Sequence, residues 1–112
     1  MYYLNLSERS KILFIDAIDG HRITQIYIDQ VLFELIAFIL SLDYENGELL
    51  LYEDIYSFAL KYVKINEKWK EKERNKYLIS RYMDLVRKKI KVKGIPLIFL
   101  NERGKGYKIL IE

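Results

Sequence analysis

Short apolar runs alternate with polar turns through the first quarter of the chain, and a helical rhythm then takes over. "YYLNL" (2–6), "KILFID" (11–16) and "ITQIYI" (23–28) are rich in β-branched, aromatic and leucine residues, the composition of strands. "SERS" (7–10) and "AIDGHR" (17–22) separate them, and Asp19-Gly20 is a tight-hairpin signal. Three strands on short turns predict an antiparallel meander. Asp29 can cap the helix that follows. There Val31, Leu32, Leu35, Ile36, Phe38, Ile39 and Leu42 recur at the three-to-four spacing of a deeply buried helix. "DYENGE" (43–48) breaks that pattern at Asn46-Gly47.

"LLLYEDIYSFALKYV" (49–63) reads as a second helix with Ile55, Phe58, Ala59 and Tyr62 on one face. "KINEKWKEKER" (64–74) is strongly charged and has no clear period; it fits either a polar loop or an early turn of the next helix. "NKYLISRYMDLVRKKIK" (75–91) predicts a third helix, with Asn75 as N-cap and Ile79, Tyr82, Met83, Val86 and Ile90 facing the core. Gly94 ends it. "LIFL" (97–100) and "YKILI" (107–111) predict two strands around the tip "NERGKG" (101–106). The order is strands, three helices, hairpin. It predicts one α+β domain over 1–112: a winged helix-turn-helix with an N-terminal antiparallel sheet, three helices and a C-terminal β-hairpin wing.

Charge sharpens this picture. The net charge is +3, but residues 1–60 carry −7 and residues 61–112 carry +10. A split of this size points the second half at a polyanion; the alternative is a solvated Lys/Glu surface. There is no Cys, and the single His, His21, cannot build a metal cluster, so no metal and no cofactor is expected. His21 is expected to be a solvated hairpin residue. The longest apolar run, 31–42, is interrupted by Glu34 and is shorter than the roughly 20 residues of a membrane span. The N-terminal residues lack the charged-then-apolar order of a signal peptide. The expectation is a cytoplasmic protein with no membrane partner. No nucleophile elbow is present, and "RGKGYK" lacks the spacing of a P-loop, so an enzyme is not expected.

A recognition helix in a major groove reads base edges, and a hairpin beside it reaches the neighbouring minor groove or backbone. On the exposed face of the third helix, Tyr77, Ser80, Arg81 and Asp84 are the base-reading candidates. Arg can bind guanine through two hydrogen bonds and Asp can accept from cytosine. Lys76, Arg87, Lys88 and Lys91 are candidates for the DNA backbone. Asp84 can instead pair with Arg81 or Arg87, three residues away on either side, and the whole face can be read as solvated surface. At the wing, Arg103, Lys105 and Lys108 supply charge. Gly104 and Gly106 are expected to turn the tip with positive φ and to let it approach a backbone; a solubilising β-turn is the plainer reading. Tyr107 is expected to pack at the base of the wing. Trp69 is expected to pack the second helix to the third, with an exposed anchor for a protein partner as the alternative.

"SRYMDLVRKKI" followed by "NERGKGYKI" resembles the end of the OmpR/PhoB-type (ToxR/CadC-like) winged-helix output domain. The matching residues are Val86-Arg87-Lys88-Lys89-Ile90 and Arg103-Gly104-Lys105-Gly106-Tyr107-Lys108, and "QVLFELIAFIL" is a loose match to the family's first helix. The resemblance covers nearly the whole chain. It implies bacterial, sequence-specific binding of double-stranded DNA and transcriptional regulation, with helix 75–91 in the major groove and wing 101–108 on the minor groove or backbone. The charged segment 64–74 is a candidate contact for RNA polymerase. One helix offers few base-reading residues, so a homodimer on two half-sites is expected. The alternatives are a winged-helix protein–protein interaction module and a DNA replication or partition protein.

Overall fold

A computed structural model describes residues 1–112. The chain is α+β, with three helices and two small antiparallel sheets. Strands β1 (Tyr2–Ser7), β2 (Ile12–Ala17) and β3 (Arg22–Tyr27) form the first sheet in that spatial order. The β2–β3 turn forms at Asp19-Gly20, where the Ala17 and His21 backbones pair. His21 is exposed and lies 2.5 Å from the Asp19 carboxylate. The register shifts between Ile15 and Asp16, and Asp16 is buried there. Its carboxylate accepts from Arg22 Nε at 3.0 Å and Asn5 Nδ2 at 2.9 Å, which offsets the cost of burying it.

Helix α1 (Gln30–Ser41) begins at the Asp29 cap, whose Oδ1 accepts from the Leu32 N–H at 3.0 Å. Its periodic stripe buries Leu32, Leu35, Ile36 and Ile39. Segment 49–63 is not one helix. Leu50–Leu51 form a two-residue strand, β4, and α2 (Tyr52–Tyr62) starts after it. Tyr52 donates its N–H to the Lys105 carbonyl at 3.1 Å, which fixes the corner. Segment 64–74 resolves into an irregular loop and a 3-10 turn at Glu71–Glu73 that runs into α3 (Arg74–Lys93). Asn75 therefore lies inside the helix rather than at its cap, and Glu73 holds the cap position. The core face of α3 is Leu78, Tyr82, Met83, Val86 and Ile90; Ile79 is only half-buried.

Strands β5 (Leu97–Glu102) and β6 (Gly106–Ile111) form the C-terminal hairpin, and β4 pairs with the other edge of β6 to give the order β4–β6–β5. The Tyr2 N–H donates to the Glu112 carbonyl at 2.9 Å and ties the two sheets together. The core lies between the helices and the inner faces of both sheets. Tyr82 sits within it, stacked on Phe58 at 6.1 Å, and Phe58 meets Phe38 edge-on at 5.7 Å. No helix is long and apolar enough to cross a membrane.

Candidate nucleic-acid interface

The buried stripe of α3 leaves an outward arc. At 3.6 residues per turn, Lys76, Arg87, Ser80, Lys91, Asp84, Tyr77, Lys88 and Arg81 fall within about 140° of one another and extend along about 22 Å of axis. All eight are exposed. Lys76, Arg81, Lys88 and Lys91 take part in no ion pair, whereas Lys89, on the opposite side, pairs with Asp29 at 2.5 Å. Asp84 pairs with neither Arg81 nor Arg87; its carboxylate stands alone among the cations of the arc.

Two members of the arc are already engaged. Arg87 Nη2 donates to the Phe99 carbonyl of β5 at 3.1 Å, and its guanidinium lies over the Tyr107 ring at 5.3 Å. Arg87 thus fastens α3 to the hairpin. Tyr77 stacks on Trp69 at 5.6 Å, and its hydroxyl donates to Glu73 Oε2 at 3.3 Å. Trp69 therefore pins the loop before α3 onto α3 itself. Arg81 stands beside that loop, and with residues 63–69 it lines an open cavity of about 740 Å³ that also holds Lys64 and Lys68.

The hairpin tip is Arg103-Gly104-Lys105, closed by the Lys105 N–H donating to the Glu102 carbonyl at 3.0 Å. Arg103, Lys105 and Lys108 are exposed and unpaired. Gly104 has φ +78° and makes the turn. Gly106 does not share that role, because its φ is not positive. A Cβ there would stand 2.1 Å from the Leu50 carbonyl oxygen, so this glycine is what lets β4 lie against β6. Tyr107 is buried at the base of the hairpin, edge-on to Tyr52 at 5.9 Å and to Phe99 at 6.5 Å. Burial raises the pKa of its hydroxyl.

Between α3 and the hairpin lies a second open cavity of about 470 Å³. It is lined by Lys76, Ile79 and Ser80 of α3, Tyr52 at the start of α2, and Tyr107 of β6. Sequence spacing does not single out Tyr52, because 49–63 reads as one helix. Glu53-Asp54 was the available signal: acidic residues favour the first turn of a helix and mark a start at Tyr52. The fold thus brings Lys76, Ser80 and the hairpin to one side of α3, while Arg81 faces the 64–69 loop. The chain matches no family model, no curated protein and no solved structure.

Proposed function

We propose that this chain is a winged helix that binds double-stranded DNA sequence-specifically and regulates transcription. In this reading α3 enters the major groove and the β5–β6 hairpin is the wing, on the adjacent minor groove or backbone. The β5–β6 hairpin directly after the third helix, with β4 from before α2 paired on the free edge of β6, supports the winged-helix part. One observation carries the DNA part: the distribution of satisfied and unsatisfied cations. Arg22, Lys61 and Lys89 each have a carboxylate partner, and of the other sixteen Lys and Arg side chains seven, Lys76, Arg81, Lys88, Lys91, Arg103, Lys105 and Lys108, cluster on the α3 arc and the hairpin. Phosphates supply the missing partners. Two copies on half-sites about one helical turn apart give the discrimination that a single helix lacks. Segment 64–74, exposed beside Arg81, is the surface offered to RNA polymerase.

Selection of bound fragments from random duplexes gives the operator. Arg81→Ala is then expected to cost about 1–3 kcal/mol on that operator and to relax preference at one base position. Equal weakening on operator and random DNA would show that Arg81 does not read bases. A protein-binding role for the same fold is favoured by one feature, the N-terminal sheet, which leaves Tyr27 66% and Ile23 47% exposed. Absence of duplex binding at low salt would select it. A replication or partition role uses the same duplex contacts and is separated by where the protein sits on a genome.

A further inference from the structure

In a B-form duplex a single sugar–phosphate strand divides each major groove from the adjacent minor groove. A protein with a helix in one groove and a hairpin in the other straddles that strand. Whatever lies between helix and hairpin must therefore face it. In this chain the space between them is the cavity of about 470 Å³ lined by Tyr52, Lys76, Ile79, Ser80 and Tyr107.

The lining suits that strand chemically. Lys76 and the Ser80 hydroxyl can each donate to a phosphate oxygen. The Tyr52 and Tyr107 rings and Ile79 offer an apolar surface to the adjoining deoxyribose. A simple anion would need only the donors, and an apolar ligand would need no lysine. A sugar–phosphate unit needs both side by side.

The walls are also held at a fixed spacing. The Tyr52 hydroxyl donates to Asn101 Oδ1 at 2.5 Å, and its N–H donates to the Lys105 carbonyl at 3.1 Å, so this ring moves with the hairpin. The Tyr107 ring meets it edge-on at 86°, and Arg87 ties the same hairpin to α3. Binding then pays little to order the seat.

We infer that this cavity seats the strand dividing the two grooves, with Lys76 and Ser80 holding one phosphate and Tyr52 and Tyr107 the neighbouring sugar. Ser80 thereby moves from base reading to backbone holding, and Tyr52 joins the interface. The inference rests on the duplex-binding reading above.

The test uses the full chain and a duplex selected from a random library. Methylphosphonate, which removes one charge and keeps the backbone shape, replaces each linkage in turn. Wild-type affinity should fall roughly tenfold at each contacted linkage, as expected for loss of one charge-assisted hydrogen bond. Lys76→Gln should bind the unmodified duplex roughly tenfold more weakly. It should also be indifferent to the substitution at one linkage, between those contacted by α3 and those contacted by the tip. Ser80→Ala should blunt the effect at that same linkage. Lys76 and Ser80 are exposed, so both variants should melt as the wild type does. A Lys76→Gln variant as sensitive as wild type at every linkage would overturn the seat while leaving DNA binding intact. A wild-type chain that binds no duplex at low salt would overturn the DNA reading and the seat together.

Discussion

A methyl group at position 106 would stand 2.1 Å from the Leu50 carbonyl oxygen and 2.8 Å from Leu51 Cα, both backbone atoms. Gly106→Ala is expected to push β4 off β6 and to cost about 3 kcal/mol or more in denaturant unfolding. Gly104→Ala has open space around it and pays only for its positive φ, about 1–2 kcal/mol. Equal costs would mean that β4 does not lie against β6. In the sequence the two glycines look like one flexible unit, because the strand that crowds Gly106 lies 55 residues earlier and leaves no local trace. Tyr82 is a different case: its position in the core follows from helical spacing, but its hydroxyl is buried with no hydrogen-bond partner. Tyr82→Phe keeps the ring against Phe58 and removes an unsatisfied group. It should raise the unfolding free energy by about 1 kcal/mol; a clear loss of stability would reveal a partner for that hydroxyl. The exposed arc of α3 was legible for the same reason as its core face, since 3.6-residue spacing assigns both at once. Leu78, which spacing assigns to neither face, is buried, whereas Ile79, expected in the core, is half-buried because it lines the cavity beside Tyr52 and Tyr107. The engagements of Arg87 with Phe99 and Tyr52 with Asn101 join residues far apart in sequence, and no spacing rule reports them.

Among the elements, α1 and α2 are joined by a polar clamp. Lys61 Nζ donates to Glu34 Oε1, and Gln30 donates to the same oxygen at 3.0 Å. Lys61 first, then Gln30, hold the Glu34 carboxyl at a pKa of about 2, below its ordinary 4.5. A depressed folded-state pKa means that the folded form binds fewer protons than the unfolded chain. The clamp's contribution is therefore complete above about pH 4.5 and is lost as pH falls toward 2. In chemical unfolding, the stability gap between wild type and Glu34→Gln should be constant above about pH 5 and shrink toward pH 2. A gap that is the same at both ends would contradict the clamp. Most elements were legible to within a residue or two: β1 to β3 from their composition and turns, α1 from its cap and stripe, β5 and β6 from the glycine-rich tip. β4 was not. "LLL" before a helical pattern extends that helix under any local rule, and only pairing with the distant β6 makes Leu50–Leu51 a strand. The start of α3 slipped from Asn75 to Arg74 because the 3-10 turn at Glu71–Glu73 delivers the chain already helical.

For the whole molecule, the decisive feature is charge segregation that the fold preserves as a surface. Residues 1–60 carry −7 and residues 61–112 carry +10, and part of the first half's acid is consumed internally by Arg22, Lys61 and Lys89. Unpaired cations also stand at Arg9, Lys11 and in the 64–72 loop, but the densest set lies on α3 and the hairpin, and Arg87 fastens the hairpin to α3. The split was legible from composition alone; that α3 and the tip act as one surface required the tertiary contacts. On the proposed DNA-binding reading, the seven unpaired cations of the α3 arc and the hairpin would make roughly five to seven phosphate contacts, each contributing about −0.9 to the dependence of log affinity on log salt. The most direct test is fluorescence anisotropy of a selected duplex over about 50 to 300 mM salt. The slope should be about −4 to −6 for the wild type and flatter by about two units for Arg103→Gln/Lys105→Gln. A slope near zero, or no binding at the lowest salt, would contradict a duplex-binding surface built from α3 and the hairpin.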